Sequence, residues 1–369
     1  MRAGALVVTT RLLFLAIASA GAVLLVPSVT DGQVSLSSMW AHYDALRYES
    51  IARDGYAGPE SDPNNTAFFP LFPLAIRFVS WFGVSEVAAG MLIAAVALVV
   101  AGSFLDRMAN EMVGDQAGQR AVLYLLVFPT AVFLVAPYSE ALFLAGAVPA
   151  FYYARRAQWT RAALPTAIAV GARVTGVFLL LGLVVELARQ GRDRRTLARG
   201  LIAIAIGCLP LIAYASYLWI ERGNPLDFIA AQHRGWHREL VSPISAFLST
   251  WRVFWNGELG GLPVTGGPRV VWFGEMVAAA VGVIFTVVAA RRREWGLTVF
   301  MGSLMAVLLV NGPTYLSVPR MLLTLFPIPL FLASFTRGRS LLHGVIVTVF
   351  AALATFGVLV YTGGTGWFY

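Results

Sequence analysis

The chain contains no lysine, a single cysteine and few charges of any kind: 12% of its 369 residues are acidic or basic. A soluble globular domain carries about 25%, so a water-soluble enzyme is excluded at the outset. Cys208 lies alone in an apolar run, which rules out a disulfide framework and a thiolate metal site. Motifs that cradle nucleotides are missing too: there is no Walker loop, no GxGxxG opening a helix and no GxSxG elbow. Nor is there an Asp-x-Asp pair to hold a divalent metal with a nucleotide sugar, which disfavours a cytosolic nucleotide donor.

What remains has the composition of a membrane protein, 58% hydrophobic, with a mean hydropathy of +0.74. Crossing the hydrocarbon core takes about 20 apolar residues. Runs at 11–29, 86–106, 121–136, 141–154, 162–172, 175–188, 200–220, 270–290, 295–311, 320–335 and 341–361 predict about 11 spans. The expectation is an all-α polytopic membrane protein, one transmembrane domain over residues 1–369 with no internal repeat. Arg2 and the apolar run behind it resemble a signal peptide, but the many later spans favour an uncleaved first span. The runs 162–172 and 175–188 are short. They read as half-helices meeting at Gly171-Ala-Arg-Val-Thr-Gly176, a break that needs protein or water around it.

Arginine sets the orientation. With the N-terminus in the cytoplasm, 17 of the 27 basic residues fall on that side, nearly all in short loops, as the positive-inside rule requires. Acids show the opposite bias: 13 of 19 lie outside, concentrated in the loops 30–85 and 221–269. The net charge of +8 is therefore topological and forms no single basic face for nucleic acid. Arginine used to the exclusion of lysine points to a GC-rich bacterial genome, and so to a bacterial plasma membrane.

Polar residues crowd the first exoplasmic loop. Tyr43 to Tyr56 reads as a short amphipathic helix lying in the membrane interface, with Gly55 as its C-cap. Asp44 and Tyr48 stand one turn apart on one face, with His42 just ahead of them. A partly buried carboxylate there can deprotonate a hydroxyl nucleophile; the competing reading is an N-cap. Pro70 and Pro73 stiffen the re-entry into the membrane, and Arg77 follows within an apolar helix, where it needs an anion or a path to water.

Arg173 sits at the break between the half-helices, where a charge costs about 2.5–3.5 kcal/mol on insertion scales. A fork of donors there suits a phosphate; the alternative is pairing with a structural acid such as Glu140. Arg320, opening a span after Asn311 to Pro319, poses the same choice. Ser139 can cap the helix that Glu140 begins. In the second loop, Gln232, His233, Trp236 and His237 gather. His233 and His237 have zinc-binding spacing, but Gly235 weakens the helix and no third ligand follows, which favours sugar stacking on Trp236.

In this order, Tyr43-Asp44, Tyr48, Ile51-Ala52, Gly55-Tyr56, Phe68 to Pro73 and Arg77 resemble the first-loop signature of the GPI mannosyltransferase II family and its bacterial relatives. The resemblance continues through Pro137 to Glu140, Arg173 to Gly176, Asn224 to Leu226, Gln232, Trp236 and Pro319-Arg320. Tyr43 stands where that family often has Trp, and Val174 where it often has Pro. The resemblance implies a GT-C-type fold and inverting transfer of a sugar, usually mannose, from a polyprenyl-phosphate carrier to a lipid, glycan or protein acceptor. It makes Asp44 the base and gives Arg173, Arg320 and Arg77 the lipid phosphate. His42, Tyr48, Tyr138, Glu140, Gln232, His233 and Trp236 would then contact sugar and acceptor. No metal or other cofactor is required, because the leaving phosphate is already a good anion. The competing class is a transporter or lipid-linked sugar flippase, which calls for broken or charged helices in both halves of the chain.

Overall fold

The computed structural model describes residues 2–25, 38–58, 61–190, 193–259, 262–263 and 268–364. In chain order the first helices are α1 (Arg2–Leu25), the short α2 (Asp44–Asp54) and α3 (Leu71–Ser80), the long α4 (Glu86–Val113), α5 (Ala117–Leu126), α6 (Glu140–Arg155), α7 (Trp159–Ala172) and α8 (Gly176–Gln190). The long α9 (Arg194–Arg222) leads to α10 (Asp227–Trp236), α11 (Pro243–Asn256), α12 (Arg269–Arg291), α13 (Trp295–Val310), α14 (Val318–Thr324), α15 (Pro327–Phe335) and α16 (Ser340–Thr362). A two-residue antiparallel ladder pairs Glu258–Leu259 with Leu262–Pro263.

By length and composition, five helices among the described residues can cross a membrane: α1, α4, α9, α12 and α16. The pair α14 and α15 makes a sixth if its 81° bend is counted within one span. The other expected spans are shorter helices. Among them, α6 packs on α4 and α7, and its apolar positions are buried nearly all round, as befits a helix enclosed by others. A Cβ on Gly146 would meet Ala169 N at 2.5 Å, so glycine lets α6 and α7 touch backbone to backbone.

The expected span at 121–136 is corrected. Helix α5 stops at Leu126, and a 3₁₀ turn over Ala131–Leu134 follows. Pro129 has no N–H to continue the ladder and biases Phe128 away from helical geometry. Arg11, expected at the cytoplasmic edge of its span, belongs to the interior of α1 instead. It is buried and donates to the Leu134, Met91 and Val135 carbonyls at 2.7, 2.9 and 3.3 Å. A charge among apolar helices is tolerated where backbone carbonyls receive it, and the broken 126–136 segment provides them.

The arginine-rich turns gather at one end of the bundle. Arg155 pairs with Glu294 at 2.5 Å, Arg156 with Glu111, and Arg337 donates to the Val113 carbonyl. The long helices α4 and α9 each reach this end at one terminus. Their other termini, Glu86 and Arg222, adjoin the segments that carry α2, α3 and α10. The polar loops therefore share the opposite end, where the site is built.

Candidate active site

Helix α2 buries Ala45, Tyr48, Ile51 and Ala52 along one face and leaves Leu46 outside. Gly55 ends it as the C-cap at φ 76°, its N–H on the Ile51 carbonyl. Beyond it, Asp62 caps a 3₁₀ turn over Pro63–Ala67 by accepting from Asn64 N at 2.7 Å, and pairs with Arg47. Burial alone would raise the Asp62 carboxyl, but Arg47 and the Asn64 amide hold it below its ordinary value.

The second polar loop docks on this turn. Thr66 donates to Asp227 at 2.8 Å, Arg234 donates to both oxygens of Asp227 at 2.9 and 3.2 Å, and Tyr214 donates to the Thr66 carbonyl at 2.8 Å. Burial pushes the Asp227 carboxyl up, yet the Arg234 and Thr66 bonds bring it below the usual carboxylate range. Trp236 closes edge-on against Phe68, ring centres 5.7 Å apart. Two loops some 160 residues apart in sequence thus form one wall.

Behind that wall lies a chain of alternating charges. Glu140 opens α6, fully buried, and its Oε1 forms an ion pair with Arg173 at 2.8 Å and accepts from Arg320 Nε at 2.5 Å. Arg320 reaches on through Nη1 to Asp44 Oδ2, its guanidinium lying over the rings of Phe133 and Tyr138 at 4.9 and 4.6 Å. Such cation–π contacts strengthen when water is excluded. The four formal charges cancel, which is how so many ionised groups share a largely buried space. Balance is incomplete at the level of atoms: Glu140 Oε2, Arg173 Nε and Thr175 Oγ1 are buried without a hydrogen-bond partner among the described residues.

Backbone geometry delivers each group. Arg173 stands where α7 has ended, extended at φ −154° and ψ 147°, and α8 starts at Gly176. The expected break is present, and Gly176 makes it tight: a Cβ there would meet Val170 Cα at 2.5 Å. Arg320 lies in the first turn of α14, after Ser317 at φ 63°. Asp44 follows Tyr43, a non-glycine residue at φ 54° and ψ −122°, a conformation that costs of the order of 1–3 kcal/mol and persists only under constraint. The constraint is visible. The Asp44 N–H donates to Tyr138 Oη at 3.2 Å, and the Tyr138 and Tyr361 hydroxyls donate to the His42 carbonyl at 3.3 and 3.2 Å.

These elements enclose a cavity of about 360 Å³. Asp44, Tyr48, Arg173, Arg320, Gln232 and Trp236, all marked out by the sequence, line it. Tyr138 and Glu140 stand behind, holding Asp44 and the two arginines. Tyr48 is buried with its hydroxyl 2.7 Å from Ser139 Oγ, and burial, tempered by Arg173, pushes its phenol up to about 12. His42 is set back against Tyr361 and Tyr43, and its imidazole is lowered from its ordinary value chiefly by burial.

Two expected members stand apart. His233 points outward, exposed. Arg77 is exposed on α3 and borders a different, apolar groove of about 610 Å³ between α3, α7 and α9. Proline-led α3 turns Arg77 away from the wall that Phe68 and Phe69 face. One residue was missed: Arg238 lines the cavity while donating to the Asn311 and Leu316 carbonyls at 3.0 and 3.1 Å. As one of several loop arginines it carried no distinguishing local signal.

Two capping readings also resolve. The N-cap of α2 is Tyr43, and the Asp44 carboxylate makes no capping bond. Ser139 holds the cap position of α6, but its hydroxyl meets Tyr48 and, at 3.0 Å, Arg173. Helix α10 ends at Trp236 with His237 left-handed, and no group of three metal-ligand residues occurs among the described residues. Arg173 pairs with Glu140, as one of its readings expects, and also lines the cavity.

No family model matches the chain, and no curated protein does. A solved structure does: the crystal structure of ArnT from Cupriavidus metallidurans bound to undecaprenyl phosphate aligns with a TM-score of 0.50. It is 15% identical, and the alignment covers 96% of this chain and 76% of that one. The shared architecture is the all-α polytopic GT-C-type fold of an integral membrane protein.

Proposed function

We propose that this chain is an inverting glycosyltransferase that moves a sugar, mannose by resemblance to the GPI mannosyltransferase II family, from a polyprenyl phosphate to an acceptor on the exoplasmic face of a bacterial plasma membrane. The observation that carries the reading is the cavity itself: a single lining carboxylate, Asp44, shares it with Arg173, Arg238 and Arg320. A donor phosphate needs guanidinium forks, and an acceptor hydroxyl needs one base. ArnT binds undecaprenyl phosphate within the same fold, which supports a lipid-phosphate donor here.

The chemistry follows from charge. The acceptor oxygen loses its proton to Asp44 and attacks the sugar's anomeric carbon, while the bond from that carbon to the phosphate oxygen breaks. The phosphate leaves with added negative charge, met by Arg173 and Arg320 in a site with little water. An anionic leaving group needs no acid, so one carboxylate serves for inversion where a glycosidase needs two. Arg320 engages only Oδ2 of Asp44, and Oδ1 accepts no hydrogen bond among the described residues. A donor phosphate arriving at Arg320 competes for that guanidinium and frees the carboxylate for the acceptor. Trp236 and Phe68 offer an aromatic edge to the sugar, with Gln232 beside them.

The transporter reading has one observation in its favour: broken helices occur in both halves, at Arg173 and at the bend between α14 and α15. Only the first of these breaks, however, brings an arginine to the cavity; Arg320 arrives from the start of α14, and no residue of the α14–α15 bend lines the cavity among the described residues. Purified protein in proteoliposomes, given radiolabelled polyprenyl-phosphate mannose, separates the readings. Label appearing on an acceptor supports transfer; donor crossing the bilayer with no transfer supports the transporter.

A further inference from the structure

Resting on that reading of the cavity, we infer that Glu275, a buried carboxylate two turns into the apolar helix α12, is a positioning residue for Arg320. It acts through the loop Asn311–Ser317 and the first turn of α14.

Glu275 is 5% exposed and touches neither Asp44 nor Arg173; its two oxygens accept separately from Ser317 N at 2.9 Å and Val318 N at 2.8 Å. Those amides begin the turn that carries Arg320, whose own partners lie on α2 and α6. A carboxylate aligned with the first amides of a helix forms charge-assisted bonds, the stronger kind. Ser317 is left-handed at φ 63° and ψ 18°, a conformation a serine keeps only where its surroundings enforce it.

The rest of the loop is fastened by other groups. Arg238 donates to the Asn311 and Leu316 carbonyls; the Tyr315 N–H donates to Thr250 Oγ1 at 2.8 Å; and the Val241 N–H donates to the Val310 carbonyl at 2.8 Å. Next to Arg320, the Glu275 bonds hold the two amides that open α14, and Thr130 Oγ1 donates to the Pro319 carbonyl at 3.1 Å. Buried acids in apolar helices are costly unless paired, and this one is paired to backbone amides whose placement decides where the guanidinium stands.

The test uses the full-length protein and the variants Glu275→Gln, Arg320→Ala and their combination. A glutamine keeps the size but offers one acceptor oxygen, so one of the two amides loses its partner. Hydrogen exchange is expected to quicken about tenfold in the peptide spanning Ser317 and Val318; unchanged protection there overturns the proposal. Affinity for farnesyl phosphate, used as a soluble lipid-phosphate probe, is expected to fall about tenfold in Glu275→Gln, and to fall no further when Glu275→Gln is added to Arg320→Ala. A penalty that persists undiminished without Arg320 means that Glu275 acts on the fold at large, and also overturns it. Should Arg320→Ala bind the probe like the wild type, the phosphate reading of the cavity fails, while the exchange measurement still decides the positioning role. Glu275→Asp, which keeps the charge but shortens the reach, serves if the glutamine variant does not accumulate; the same quickened exchange is expected.

Discussion

Arg320→Lys removes the fork while keeping the charge. Arg320 uses two different nitrogens, Nε to Glu140 at 2.5 Å and Nη1 to Asp44, and a single ammonium on a narrower stem cannot hold both carboxylates in those places. The attraction to the Phe133 and Tyr138 rings, 4.9 and 4.6 Å from the guanidinium carbon, survives in part for a lysine. The net loss is therefore one hydrogen bond between charged groups, about 1.5–3 kcal/mol. At about 1.4 kcal/mol per factor of ten, this predicts a fall of roughly 10- to 150-fold in kcat/KM. Transfer from radiolabelled polyprenyl-phosphate mannose, measured in detergent beside the melting temperature, reads the effect. A lysine variant that melts like the wild type and retains activity within about twofold would show that the bidentate geometry is irrelevant, and the site as drawn would be wrong.

Three further outcomes follow from the same contacts. Glu140→Gln leaves two buried guanidiniums short of a countercharge, a loss of about 3–5 kcal/mol when a buried pair is broken, and thermal melting should fall by several degrees. Asp227→Asn should destabilise the protein at pH 7. Because the Asp227 carboxyl sits below its ordinary value in the folded chain, its contribution is complete above the unfolded value near 4 and is lost as pH falls through the folded one, so the melting difference from wild type should shrink steadily as pH is lowered below the ordinary carboxylate range. Trp236→Ala should raise KM severalfold with a smaller change in kcat, since an aromatic contact is worth about 0.5–1.5 kcal/mol beyond its area; an unchanged KM would remove Trp236 from the sugar site.

Much of the fold could be read from local chemistry. Glycine at 55 ended α2, glycines at 171 and 176 marked the break that frees Arg173, and the apolar runs located the long helices. The 121–136 run misled because hydropathy records burial and not helical continuity; Pro129 was the signal that outweighed it. Arg11 reads as the edge of its span because a charge in an apolar run looks like a boundary, and only the distant carbonyls of Met91, Leu134 and Val135 show why it is inside. The site was legible as a list of residues more than as a set of pairs. Asp44 and Arg320 are 276 positions apart, and no local pattern states that they meet. For the same reason Arg77, attractive beside the first loop, belongs to a separate groove, while Arg238 and Glu275 carried no mark in sequence of their common hold on one loop.

The central claim is that Asp44 takes the acceptor's proton in a cavity whose arginines hold a lipid phosphate. The most direct measurement compares wild type with Asp44→Asn for transfer of radiolabelled mannose from its polyprenyl phosphate, with farnesyl phosphate affinity determined on the same preparations. The account predicts that Asp44→Asn abolishes transfer while the probe still binds, at least as tightly as in the wild type because Arg320 has lost its competing carboxylate. Transfer that persists in the asparagine variant would contradict it.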